Sequence, residues 1–78
     1  MMNQVIPLNE VPEGRKAVIR GLRENGGFEK RLSDLGFVEG SAVTPLFISP
    51  SGDPRAFFLR GAVVALRRDA AQGILVEV

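Results

Sequence analysis

The side chains that most often do chemistry at neutral pH are missing from this chain. It has no His, Cys, Tyr or Trp. That removes the usual general base and the thiol nucleophile. Nine carboxylates remain, and a dry pair of them would suffice for acid–base work. Their spacing shows no such pair. Glu29 beside Ser33, and Asp34 near Arg31, read as partners on a helix surface. Transition-metal sites favour imidazole, thiolate or clustered carboxylates. The first two are absent, and Glu10, Glu13 and Glu24 do not cluster by spacing. No catalytic, cofactor-binding or metal-ligating residue is therefore expected. Gly26-Gly27 ahead of a helix offers backbone N–H groups to an anion. No Lys-Ser or Lys-Thr follows, so it is not a P-loop, and loop flexibility is the simpler reading.

What remains is binding. Arg15, Lys16, Arg20 and Arg23 lie close in sequence, and Arg55, Arg60, Arg67 and Arg68 add to them. A nucleic-acid surface needs such a basic groove together with exposed aromatic rings. Only five Phe supply rings, and most look directed to the core. The net charge of +1 gives little general pull toward phosphate. A protein partner fits better. Arg31 on the helix, with Phe37 and Val38 in the turn after it, are the candidate partner-binding residues. Phe37 has a competing role, stapling the helix end to the body of the fold.

The helix in question is Phe28 to Leu35, closed by Gly36. Phe28, Leu32 and Leu35 fall at i, i+4 and i+7, which places all three on the core face. Gly36 stands where a left-handed cap is wanted. Everything else reads as short strands and tight turns. Leu8 to Gly14 is one helical turn, capped by Asn9, with Leu8 and Val11 facing the core. Arg15 to Leu22 is a strand with Ala17 and Ile19 on one face. Ser41 to Ser49 is a longer strand with Val43 and Phe47 on one face, and Pro45 marks an edge or a bulge in it. Pro50 to Pro54 is a loop closing a hairpin. Strands Arg55 to Arg60 and Ala62 to Leu66 follow. A helical turn then leads to a last strand, Ile74 to Val78. About five short strands with glycine corners suggest a small closed or nearly closed barrel.

Seventy-eight residues, 45% of them hydrophobic, make one domain with a thin core. The core spans about residues 8–78, with 1–7 as an N-terminal extension. The lack of cysteine favours a reducing cytoplasm. No stretch approaches the roughly 20 apolar residues of a membrane span, and the N-terminus lacks the pattern of a signal peptide.

In order, the chain carries Leu8-x-x-Val11-x-x-Gly14, then Leu32-Ser33-Asp34-Leu35-Gly36-Phe37-Val38-Glu39-Gly40, Val43, Gly52-Asp53-Pro54, Gly61-Ala62-Val63-Val64-Ala65-Leu66-Arg67, and Ala70-x-x-x-Ile74-x-Val76. This series resembles the FeoA family of small cytoplasmic proteins of bacterial ferrous iron uptake, from about Leu8 to Val78. The resemblance implies a mainly β fold, an SH3-like β-barrel with one α-helix inserted between the first and second strands. That fold also forms the C-terminal domain of iron-dependent repressors. It implies no enzyme activity and a partner, the cytoplasmic part of the FeoB permease. A weak homo-oligomer is compatible with it. The alternative is a small-barrel nucleic-acid-binding module.

Overall fold

The computed structural model describes residues 4–23, 28–48 and 50–78. The expectations for Glu24, the Asn25-Gly26-Gly27 loop and Ser49 lie outside the described residues, as do those for the side chains of Phe28 and Glu29.

Among the described residues six strands form one antiparallel sheet. They are β1 (Val5–Pro7), β2 (Ala17–Leu22), β3 (Ala42–Ile48), β4 (Arg55–Leu59), β5 (Ala62–Leu66) and β6 (Ile74–Glu77). Their order is β1-β6-β2-β3-β4-β5. A 3-10 turn at Leu8–Glu10 follows β1, helix α1 (Phe28–Leu35) joins β2 to β3, and helix α2 (Arg68–Gln72) joins β5 to β6. The expected helix is present, but it lies between the second and third strands. The reason is β1. Val5 and Ile6 pair with Glu77 and Val76, so residues 5–7 belong to the sheet and are not a mere extension.

The sheet is rolled. Strands sit about 4.8 Å apart, so the ends of a flat six-stranded sheet would lie roughly 24 Å from each other. Here Ile6 of β1 and Leu66 of β5 pack in the same core cluster. Asn9, just after β1, lines one pocket with Leu66. The two ends of the sheet therefore approach, and the core is shared by all the strands.

That core follows the sequence alternation. Ala17 and Ile19 of β2, Phe57 and Leu59 of β4, and Ile74 and Val76 of β6 are buried, as are Leu8 and Val11. The alternation fails at one place. Val43 and Phe47 were expected on one face of β3, yet Val43 is fully buried and Phe47 is 57% exposed. Pro45 pairs with Phe57 and Phe47 with Ala56, so the register slips between them. One extra residue on β3 reverses the facing of all that follows. Pro45 thus marks a bulge, and its carbonyl accepts a hydrogen bond from the Gly14 N–H at 2.7 Å.

Helix α1 ends in a Schellman motif. The Phe37 N–H donates to Leu32 O and the Gly36 N–H to Ser33 O, both at 3.0 Å. Gly36 adopts φ +108, which a side chain would resist. The motif turns Phe37 back against the last turn, and Leu32 and Phe37 both enter the core.

Candidate docking surface

Leu35 is the first sign of a surface made for contact. It was expected in the core with Leu32, but it is 45% exposed while Leu32 is buried. The two side chains share a stripe on α1. Only Leu32 points under the helix, and Leu35 stands at its flank. There it lines a groove of about 170 Å³ between α1 and the β5–α2 segment. Leu32, Leu66 and Ala70 form the buried floor. Arg31 and Arg67 stand on the rim and are exposed. Asp69 also lines the groove, and its Oδ1 accepts a hydrogen bond from the Ala70 N–H at 2.9 Å.

The second sign is the outer face of β3, β4 and β5. Phe58 lies opposite Val63 across the β4–β5 pair and opposite Thr44 across the β3–β4 pair. Ala56 lies opposite Ala65 on one side and Phe47 on the other. Phe57, Leu59 and Leu66 are buried on the inner face, so these residues share the outer one. Phe47, Phe58 and Val63 are 57%, 44% and 60% exposed. Ala65 connects the two features, because it also lines the α1 groove. An apolar strip therefore runs from Leu35 across Ala65 and Val63 to Phe58 and Phe47. Contiguous apolar surface of this kind is a candidate interaction site.

A smaller polar pocket opens elsewhere. It is about 110 Å³ and is lined by Asn9, Asp53, Arg55, Phe57 and Arg68, among others. The Arg55 guanidinium lies 5.7 Å from the Phe57 ring centroid, within cation–π reach. Its Nη1 donates to the Asn9 carbonyl at 3.2 Å. Asp53 Oδ1 accepts from the Arg68 backbone N–H at 2.9 Å, which ties the Pro50–Pro54 loop to the start of α2. Asn9 does not cap its helical turn: Pro7 occupies that position.

The three residues expected to meet a partner separate here. Arg31 lines the groove and Val38 is 38% exposed at the end of α1. Phe37 is fully buried, so it staples the helix and is withdrawn from any partner surface. The Schellman turn is the cause, since it points the residue after Gly36 inward. Phe47, Phe58 and Val63 were missed as surface residues. For Phe58 and Val63 the signal was present: with Phe57 and Leu59 inward, Phe58 must face out. For Phe47 it was hidden by the bulge. Among the described residues no group of three or more His, Cys, Asp or Glu is placed to hold a metal ion, and no helix is long and apolar enough to cross a membrane.

Comparison with known proteins agrees with this architecture. A curated relative, a fusion of Fe(2+) transport protein A with the Fe(2+) transporter FeoB from Porphyromonas gingivalis, is 37% identical over 70 residues. The match takes in 90% of this chain but 8% of that protein. The solution structure of a FeoA-like protein from Clostridium acetobutylicum superposes with a TM-score of 0.90 at 36% identity, covering 99% of this chain and 90% of that one. A zinc complex of FeoA from Stenotrophomonas maltophilia, a prokaryotic SH3 domain protein, gives 0.79 at 29% identity, over 97% and 89% of the two chains. The model of the FeoA domain matches residues 6–78, and this chain, an SH3-like barrel, belongs to the FeoA family.

Proposed function

We propose that this chain is a non-enzymatic accessory protein of bacterial ferrous iron uptake, working in the cytoplasm by docking onto the cytoplasmic part of a FeoB-type permease. One observation carries the reading: in the Porphyromonas gingivalis relative the two proteins are a single chain. Fusion makes two partners meet at high effective concentration, which is useful where they must touch. The exposed strip from Leu35 to Phe47 supplies the means. Its apolar centre and the arginines beside it have the composition of an interface core. Docking acts on transport by binding one conformation of the permease better than another. The test is binding of this chain to a purified FeoB cytoplasmic domain. Saturable association at tens of micromolar or tighter supports the reading, and no association by folded protein at that concentration contradicts it.

A second reading has its own observation. Phe47 and Phe58 are exposed, as the rings of a nucleic-acid platform would be. Their neighbours in the strand register are Ala56, Thr44 and Val63 rather than Lys or Arg, which favours a protein surface. Filter binding to single-stranded RNA at two salt concentrations separates the readings. Affinity that falls steeply with salt belongs to nucleic acid.

A further inference from the structure

We propose that the open edge of β5, with the groove beside it, receives an extended segment of a partner protein that is apolar in its middle and acidic at its ends. The inference rests on the docking reading and adds to it the chemistry of the docked piece.

The edge itself is the first observation. Among the described residues β5 ends the sheet and pairs only with β4. Its residues are Ala62, Val63, Val64, Ala65 and Leu66. Edge strands are normally protected by a charge, a proline or a bulge. β5 has none of these within its span, and its register with β4 is regular throughout. An unprotected edge is a template for one more strand. The groove alongside, floored by Leu32, Leu66 and Ala70, takes an apolar side chain from that strand.

The second observation is charge. Arg60 precedes β5, and Arg67 and Arg68 follow it. Arg31 faces the same groove from α1. Among the described residues the one carboxylate lining the groove is Asp69, whose Oδ1 accepts from the Ala70 N–H. A second copy of this chain fits poorly. In a symmetric antiparallel pair, residues on one face must meet residues on the same face. The register that overlaps all of β5 is centred on Val64, and at both ends of the pair it brings the end of one copy that carries Arg60 beside the end of the other that carries Arg67 and Arg68. Like charges so placed repel. A strand with Glu or Asp at its ends meets these arginines favourably.

The third observation is the conformation of Arg60. It and Gly61 form the two-residue turn between β4 and β5, with φ 52 and 83. Such turns prefer Asn-Gly, because most side chains resist φ above zero. A cation is held here where the backbone would take asparagine more comfortably. A residue kept against local preference points to a task beyond the turn.

The test uses the whole chain, labelled with ¹⁵N, and synthetic peptides that alternate Val and Thr between pairs of Glu. The expected result is that amide signals of Ala62 to Leu66 and of Leu35 move on titration. A matched peptide with Lys at the ends binds at least about tenfold more weakly, and N-methylation along the edge-facing side of the acidic peptide abolishes the effect. R60N weakens the acidic peptide and R60K restores it, which a purely structural arginine would not do. Equal binding of the acidic and basic peptides, movement confined to other strands, no binding, or preferential self-association through β5 overturns the proposal. Retained affinity of R31E/R67E for the FeoB cytoplasmic domain also overturns it, and in that case the docking reading itself stands.

Discussion

Phe58 on β4 and Val63 on β5 stand directly opposite one another, and both face solvent. A cross-strand apolar pair normally contributes by packing into a core. Here the pair leaves its rings and methyls in water, beside Phe47 and Ala65 on the same outer face. Phe58→Ser is therefore expected to separate folding from binding. Unfolding free energy should change by less than about 1 kcal/mol in urea. Affinity for the FeoB cytoplasmic domain should fall at least tenfold, a loss of about 1.4 kcal/mol.

Helix α1 offers a paired comparison. Leu32 is 3% exposed and Leu35 is 45% exposed. Leu32→Ala leaves a cavity under the helix and should cost about 2–5 kcal/mol. Leu35→Ala removes a side chain from the groove wall and should cost less than about 1 kcal/mol. Chemical denaturation of the two variants checks this, and equal losses would mean that Leu35 belongs to the core after all.

Gly36 and Arg60 are linked across the fold. A Cβ on Gly36 would lie 3.1 Å from Arg60 Cδ and 3.4 Å from Leu59 Cδ2. The Arg60 stem is flexible, so that contact can relax. The φ of +108 cannot. Gly36→Ala should lose about 1–2 kcal/mol, and the loss should persist in an Arg60→Ala background. Gly21→Ala, at a position where an added Cβ would meet nothing within 4 Å, is the control. Thermal melts of the three variants read the difference.

Arg60 gives the opposite sign. Replacing it with Asn fits the φ of 52 that the turn imposes. Arg60→Asn is expected to raise folding stability by up to about 1 kcal/mol, measured by urea unfolding. A loss of stability would show that packing of the arginine stem beside Gly36 outweighs the turn strain.

The ion pair between Arg20 and Glu77 joins β2 to β6. Its partners are 48% and 19% exposed. Exposed pairs contribute about 0–1 kcal/mol. A double-mutant cycle with Arg20→Ala and Glu77→Ala should return a coupling in that range, diminished in 1 M salt.

The sequence carried much of this fold because its strongest signals are local. The alternation at Ala17–Ile19, Phe57–Leu59 and Ile74–Val76 needs no tertiary knowledge, and neither does the glycine cap at Gly36. The failures have tertiary causes. Residues 5–7 are too few to show a period, and they become β1 only by pairing with β6. Leu35 shares a helical stripe with Leu32, but a short helix laid on a small barrel buries a narrower stripe than periodicity suggests. Phe47 changes face because of a bulge whose position, though not its effect, Pro45 announced. The site was legible in part. Arg31 and Val38 are exposed at α1, whereas Phe37 is drawn inward by the cap hydrogen bond to Leu32 O. The groove depends on α1 meeting the β5–α2 segment, and no local pattern reports that meeting.

The proposed docking of this chain runs through one face, the strip from Leu35 to Phe47. Titrating the FeoB cytoplasmic domain with wild-type chain and with F58S, in parallel by calorimetry, tests it most directly. Saturable binding by the wild type at tens of micromolar or tighter is expected, with at least tenfold weaker binding by the folded variant. Equal affinity of the two chains, or no heat from either, would contradict it.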